Sequence, residues 1–495
     1  MKKLLTDEQM RTFLTQGFIA LQPELPADFH AELRKQCAAS LERDHGNPGN
    51  NILPLVPQLQ ELYASPVISG ALTSVLGERY LMHPHRHMHS NSGSNGGAWH
   101  KDSYWGYTRR VRNHRPWWVM IMYYPQAVRT EDGPTGVIPG SQWHDHRQKD
   151  HEQNIDAVTG EAGTFFMIHY DIWHRATPNT SGITRQMLKF EFMRLDEPTA
   201  PTWNCAESEW QDPERLPELA HRGMYRQIWN FLSGKKRPAD HATIPANANP
   251  AAAIAQLASN DPCERMKAAD ELERCGPAAE AAIGALAAQL ADPFEPAALN
   301  AAYALAAIGA RSIPALIQAL RSEDLRTSQT AAYALSAMNG EAASALLDAF
   351  ADGAPQTRTH ALFALGEIRK TGADTVSLCA RAMQDADPRM RLHAIEALGM
   401  KGPASKSAMP AIIAALRDDD TEIRFNAALT CARLGSHAAE AVPALAAALK
   451  DADRYVRGYA IEALDQIGSR EAFNVLVPFL KSARWCTSTS PASNF

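Results

Sequence analysis

The chain has no apolar run of membrane-spanning length, so nothing in it reads as a transmembrane helix. Its seven cysteines are scattered and odd in number, with no CxxC pair. That excludes a disulfide framework and fits packing thiols in a reducing compartment. Neither charge sign is in large excess: 49 Lys and Arg stand against 55 Asp and Glu, a net −6. A nucleic acid or an anionic membrane as main partner is therefore not expected. The opening MKKLLTDEQM has two lysines but no apolar stretch behind them, so it does not read as a signal peptide, and a cytoplasmic location is expected. A hydrophobic share of 45% is that of a globular protein, and 495 residues are too many for one ordinary domain.

The composition changes near residue 240: 14 of the 18 His and 9 of the 10 Trp precede it, and Ala and Leu dominate beyond it. Between the two parts, GKKRPADHATIPANANPAAA (residues 234–253) is rich in Pro, Asn and Ala and reads as a linker. The second part repeats. DADPRMRLHAIEALGMKG from Asp385, DDDTEIRFNAALTCARLG from Asp418 and DADRYVRGYAIEALDQIG from Asp451 are spaced by 33 residues, and weaker copies start near Asp261, Asp292, Asp324 and Ala354. Each has small and apolar residues at helical spacing, a frequent Gly stop and a second helix such as AVPALAAAL. The Asp before each copy is a natural N-cap. A period of this size made of helix pairs predicts an α-solenoid. The units resemble HEAT repeats, about seven over residues 254–482, with residues 483–495 expected to be a disordered tail. Two roles stand for such a solenoid: a surface for a protein partner, or a scaffold that only supports its neighbour.

The first part, residues 1–233, has helical patterns at its start and then short apolar runs broken by Gly, Pro and Asn. In RQMLKFEFMRL, Met187, Lys189, Glu191 and Met193 alternate with Leu188, Phe190, Phe192 and Arg194, which is a strand pattern. Strands at this density predict a β-sandwich or barrel. The stretch LMHPHRHMHSNSGSNGGAWHKD (residues 81–102) holds five histidines, and histidine is the commonest metal ligand. His100 and Asp102 in WHKD are two residues apart, which on a strand puts both on one face. One imidazole and one carboxylate are two of the three ligands of a facial 2-His-1-carboxylate triad. His169 and Asp171 repeat that spacing, so spacing alone does not choose between them.

Context chooses. WHKD, GPTGVIPGS from Gly133 and IWHRATPNTSGITR, which holds His174, Pro178, Asn179 and Arg185, occur in an order that resembles the phytanoyl-CoA dioxygenase family of iron- and 2-oxoglutarate-dependent oxygenases. The resemblance covers residues 5–200. It implies an N-terminal double-stranded β-helix, a cupin-like jelly-roll barrel with flanking helices, ahead of the all-α solenoid. It implies that His100, Asp102 and His174 ligate Fe(II), that Arg185 pairs with the distal carboxylate of 2-oxoglutarate, and that O2 is the second cosubstrate. A guanidinium fork suits a carboxylate because it meets both oxygens. The family also places an aromatic residue near the cosubstrate, for which Trp118 in RPWWVMIMYY is the candidate and Trp117 faces the other way. His169 and Asp171 then fall at a strand end as a polar connection.

His83, His85, His87 and His89 alternate with other residues and so share one face of one strand. They form either a polar row or, through His87, part of the cosubstrate pocket; a second metal site would need partners from elsewhere. The four arginines of YTRRVRNHRPWW could hold a substrate carboxylate or phosphate or simply be solvated, and Tyr104, Trp105 and Tyr107 could wall a pocket or the core. The leading expectation is a dioxygenase that hydroxylates, or otherwise oxidises a C–H bond of, a small organic molecule. Related halogenases replace the carboxylate ligand with a small residue, so Asp102 disfavours halogenation. One alternative is a protein or carrier-bound substrate captured by the solenoid, and a weaker one is a binding protein without catalysis.

Overall fold

The computed structural model describes residues 1–43, 48–102, 111, 114–148, 154–235, 250–369 and 372–482. Most of the expected linker, the tail 483–495, and Tyr104, Trp105, Tyr107, Arg109, Arg110 and Arg112 lie outside the described residues. Among those described, the chain forms two compact units, one ending at Ala220 and one running from His221 to Lys481.

The first unit begins with helix α1 (Asp7–Gln16), whose start is fixed by a capping box: Thr6 accepts from the Gln9 amide and Gln9 accepts from the Thr6 amide. Four more helices, α2 (Ala27–Arg43), α3 (Ile52–Leu55), α4 (Leu59–Ala64) and α5 (Pro66–Leu76), precede or flank the sheets. Eight strands follow the alternation read in the sequence: β1 (Phe18–Leu21), β2 (Tyr80–Asn91), β3 (Trp118–Tyr123), β4 (Thr135–Val137), β5 (Asp156–Val158), β6 (Phe165–His169), β7 (His174–Ala176) and β8 (Arg185–Arg194). They form a five-stranded sheet in the order β1-β6-β3-β8-β2 and a three-stranded sheet in the order β5-β4-β7. Every pairing is antiparallel.

Met120, Met122, Phe166, Ile168 and Met187 of the larger sheet pack with Val137 and Val158 of the smaller one, so the core lies between two sheets in jelly-roll fashion. Among the described residues the sheets stay open rather than closing into a complete barrel. Strand alternation then fixes β8. Arg185, Lys189 and Glu191 share the inner face with the core residue Met187, and Phe190 and Phe192 turn outward onto Tyr63 of α4 at ring separations of 4.6 and 5.5 Å.

The second unit is all helical. Seven helix pairs run from Pro262–Cys275 with Ile283–Gln289 to Arg454–Ile467 with Arg470–Ser482. The long first helices stack through buried Ala and Leu such as Ala301, Leu305, Ala331, Leu335, Ala394 and Leu398. Each fully buried Leu contributes roughly 1.5–3 kcal/mol, but only while the neighbouring unit covers it. The last three repeats each carry two aspartates with separate tasks. The caps are Asp387, Asp420 and Asp453, whose side chains accept from the first-turn amides of their helices. The aspartates two positions earlier, Asp385, Asp418 and Asp451, instead pair with Arg358, Arg391 and Arg424 of the preceding unit. In these three repeats the expected cap was the earlier aspartate, whereas Asp261 and Asp324, also expected as caps, do cap their helices.

The helix Arg222–Leu232 belongs to this second unit. His221 Nδ1 lies 2.6 Å from Asn300 Oδ1, the Gly223 amide donates to Asp270 at 3.2 Å, and Arg226 pairs with Glu273. The expected domain limit after residue 233 therefore differs from the compact-unit limit at Ala220.

Candidate metal centre

Three ligand-type side chains converge between the sheets. The ligand atoms of His100, Asp102 and His174 all lie within 4.8 Å of one another, the one such cluster among the described residues. His174 opens β7, and its backbone exchanges both hydrogen bonds with His100, N to O at 3.0 and 3.1 Å. The HxD segment is thus joined to the smaller sheet by a single bridge, with Asp102 in the turn beyond it, rather than lying in a regular strand.

Both rings are oriented by their far nitrogens. His100 Nδ1 is 3.0 Å from the Ala98 carbonyl and His174 Nδ1 is 3.1 Å from the Ile172 carbonyl. A proton on Nδ1 donates to that carbonyl and leaves the Nε2 lone pair facing Asp102. Nε2 of His174 lies 3.5 Å from Asp102 Oδ2, and Nε2 of His100 lies 4.0 Å from Oδ1. Burial pushes the His174 imidazole down to about 4 against the opposing pull of Asp102, so it is a neutral donor at neutral pH. Burial alone would raise the Asp102 carboxyl, but the fields of Lys189, His174 and His100 and a hydrogen bond from Lys189 outweigh it and hold it below the usual carboxylate range. Two imidazoles that present Nε2 and one ionised carboxylate are a donor set suited to a divalent first-row metal.

The sequence elements around the triad hold it in place. Lys101, fully buried between the two ligands, turns the other way and donates to the Ser141 carbonyl at 3.2 Å. Ser141 Oγ accepts the Trp173 amide at 3.0 Å, so one residue of the Pro-Gly-Ser turn fastens both ligand segments. Asn179 Nδ2 lies within 2.8–2.9 Å of the carbonyls of Asn91, Asp132 and Ile183. Gly133 sits inside this knot at φ 69°, where an added Cβ would fall 2.6 Å from Asn91 Nδ2 and 2.8 Å from Asn179 Cβ. Only glycine fits.

The Gly133 carbonyl is the acceptor for Arg185, at 3.1 Å from Nε and 2.7 Å from Nη2. The guanidinium lies 5.9 Å above the Tyr124 ring and is 2% exposed. Its Nη1 is buried with no hydrogen-bond partner among the described residues. An interior arginine with an unused donor and, among the described residues, no ion-pair partner is chemically suited to an anion.

The histidine row lies on one face, as its alternation implies. Ring separations are 6.5 Å for His83–His85, 6.1 Å for the stacked His85–His87 and 4.5 Å for His87–His89. His87 pairs in register with Lys189, and burial pushes its imidazole down to about 4, with the Lys189 charge adding to the effect. His169 closes β6 away from the triad: its ring packs on Phe13 and Trp143, and its Nδ1 accepts the Asp171 amide.

Trp118 packs on the inner core, and Trp117 is buried apart from it, as register implies. Its height differs from the expected one. Trp118 is level with Met193, at the end of β8 opposite Arg185, and the aromatic ring beside Arg185 is Tyr124. Tyr124 and Lys189 are the residues beside the site that sequence reasoning passed over. A signal for Lys189 was present, since it shares the parity of Arg185 on β8.

Residues 15–187 match the family described as phytanoyl-CoA dioxygenase, and HEAT repeats match at 283–366, 343–408, 375–449 and 409–486. The chain therefore carries an oxygenase domain of the phytanoyl-CoA dioxygenase family followed by HEAT repeats. Similar solved structures include the non-haem alpha-ketoglutarate-dependent carbocyclase SnoK from nogalamycin biosynthesis, at 21% identity over 39% of this chain and 85% of that chain, with a TM-score of 0.34. EctD from S. alaskensis with bound Fe matches at 17% identity over 48% and 85%, TM-score 0.34. HygX from Streptomyces hygroscopicus with nickel and 2-oxoglutarate bound matches at 14% identity over 39% and 88%, TM-score 0.33. No curated protein sequence matches the chain. No helix among the described residues is long and apolar enough to cross a membrane.

Proposed function

We propose that the first unit is an Fe(II)- and 2-oxoglutarate-dependent dioxygenase that oxidises a C–H bond of a small organic molecule, hydroxylation being the simplest outcome. The observation that carries this is the pairing of the His100, Asp102 and His174 cluster with a buried arginine, Arg185, whose Nη1 lacks a partner. His100, Asp102 and His174 would hold the metal, and Arg185 the distal carboxylate of the cosubstrate. The bound metal and cosubstrate supply the oxidising chemistry, with 2-oxoglutarate and O2 consumed and succinate and CO2 released.

The chain's own residues do the rest. The Ala98 and Ile172 carbonyls keep both imidazoles in the tautomer that presents Nε2. Lys189 donates to Asp102 Oδ2 at 3.1 Å and so orients the carboxylate that would help hold the metal. The knot of Gly133, Asn179 and Tyr124 fixes the Arg185 fork before any ligand arrives, which lowers the ordering cost of binding.

The reading is tested with the full chain, purified metal-free and resupplied with Fe(II). Succinate release from 2-oxoglutarate under air is expected to need added Fe(II) and to be absent in His174→Ala. Release that persists without Fe(II), or survives in that variant, would overturn it.

A further inference from the structure

The inner face of β8 carries one charged group that the dioxygenase chemistry does not use. We propose that Glu191, with the ring wall of His83, Trp118 and Tyr170, is the substrate subsite and takes a protonated amine; this rests on the dioxygenase reading above.

Position comes first. Arg185, Lys189 and Glu191 follow one another along the inner face, and alternate residues of a strand advance by about 6.7 Å. Lys189 touches Asp102, so it marks the height of the metal ligands. A cosubstrate reaching from those ligands to Arg185 fills the stretch on one side of Lys189. Glu191 lies on the other side, where a substrate carbon can approach the metal without displacing the cosubstrate.

Charge comes second. Glu191 is 3% exposed, and among the described residues its ion-pairing partners are only two imidazoles, His83 Nδ1 at 3.0 Å and His85 Nε2 at 3.8 Å. Burial, with the Lys189 charge adding to it, holds His85 well below the usual histidine range, so that ring brings no positive charge. The nearest inner-face cation, Lys189, is taken up by Asp102. A carboxylate withdrawn from water with no lysine or arginine beside it is the counterpart of an incoming cation.

Shape comes third. Trp118 stacks on Tyr170 at 5.2 Å, and the His83 ring meets Trp118 edge-on at 5.1 Å while touching Glu191. Trp118 is half-buried. Aromatic faces beside a carboxylate attract an ammonium group twice over, by the ring quadrupole and by the charge. A carboxylated or phosphorylated substrate would be repelled at the same place.

The test uses the full chain with Ni(II) in place of Fe(II) and with 2-oxoglutarate, so that nothing turns over. Calorimetry measures binding of 2-phenylethylamine, cyclohexylamine and 1,4-diaminobutane against 2-phenylethanol, cyclohexanol and 1,4-butanediol. At least one amine is expected to bind tenfold or more tightly than its alcohol. Glu191→Gln should remove that preference while Ni(II) and 2-oxoglutarate still bind, and Trp118→Leu should weaken it. Equal binding of amines and alcohols by the unaltered protein, or a preference that survives Glu191→Gln, would overturn the proposal. Failure of Ni(II) and 2-oxoglutarate to bind the unaltered protein would instead strike the dioxygenase reading, so the two failures are distinct.

Discussion

Lys189 Nζ lies 3.1 Å from Asp102 Oδ2, and both side chains are buried. The pair joins the inner face of β8 to the turn after His100 and sets the ionised state of a candidate metal ligand. The Asp102 carboxyl is held below its usual range, chiefly by Lys189 against the effect of burial. A depressed carboxyl contributes stability above its unfolded pKa, about 4, and loses it as pH falls through the folded value. Lys189→Met in the metal-free protein should therefore cost about 3–5 kcal/mol at pH 7, the usual penalty for stranding one partner of a buried pair. Urea midpoints should show the gap to the unaltered protein narrowing below about pH 4. A gap independent of pH would mean that the lysine acts only through packing.

Arg185→Ala should leave metal binding intact and weaken 2-oxoglutarate. Truncating a buried charge partner costs about 2–5 kcal/mol, or about thirtyfold and upward in Kd. Calorimetry of 2-oxoglutarate on the Ni(II)-loaded protein reads this directly. An unchanged Kd would remove Arg185 from the site.

Asn179→Ala should act on the arginine more than on the metal. Its amide is within hydrogen-bonding distance of three carbonyls around Gly133 and the start of β8. Buried carbonyls left without a donor cost about 1–3 kcal/mol of stability. The 2-oxoglutarate Kd should rise by a larger factor than the Ni(II) Kd, and equal changes would assign Asn179 a purely structural part.

The chain should divide better after Ala220 than near Ala239. The helix Arg222–Leu232 buries Met224, Tyr225, Ile228 and Trp229 and is tied to the first HEAT repeats through Asn300, Asp270 and Glu273. A fragment ending at Ala220 should stay monomeric and bind one Ni(II). One ending at Ala239 keeps this helix without those partners and should aggregate, as size-exclusion chromatography would show. The reverse order would return the helix to the first unit.

Much of this was legible in the chain because alternation and spacing report faces. The parity of RQMLKFEFMRL gave the inner and outer faces of β8, and the 33-residue period gave the solenoid. The metal cluster was legible only through motif order, since His169 and Asp171 share the spacing of His100 and Asp102. Heights along a sheet were not legible, because they depend on register between strands far apart in sequence. Trp118 was placed on the right face but at the wrong end for that reason, and Tyr124 was passed over. Lys189 read as one polar residue of a strand until the β3 and β2 partners placed it beside Asp102.

The central claim is that His100, Asp102 and His174 hold one Fe(II) to which 2-oxoglutarate binds as a chelate. The most direct measurement is an oxygen-free titration of the full chain with Fe(II) and 2-oxoglutarate, following the visible charge-transfer absorption of that chelate. The expected result is a band that saturates at one Fe(II) per chain, is lost in His174→Ala and is kept in His169→Ala. No band in the unaltered protein, or a band that survives His174→Ala and disappears in His169→Ala, would contradict the account.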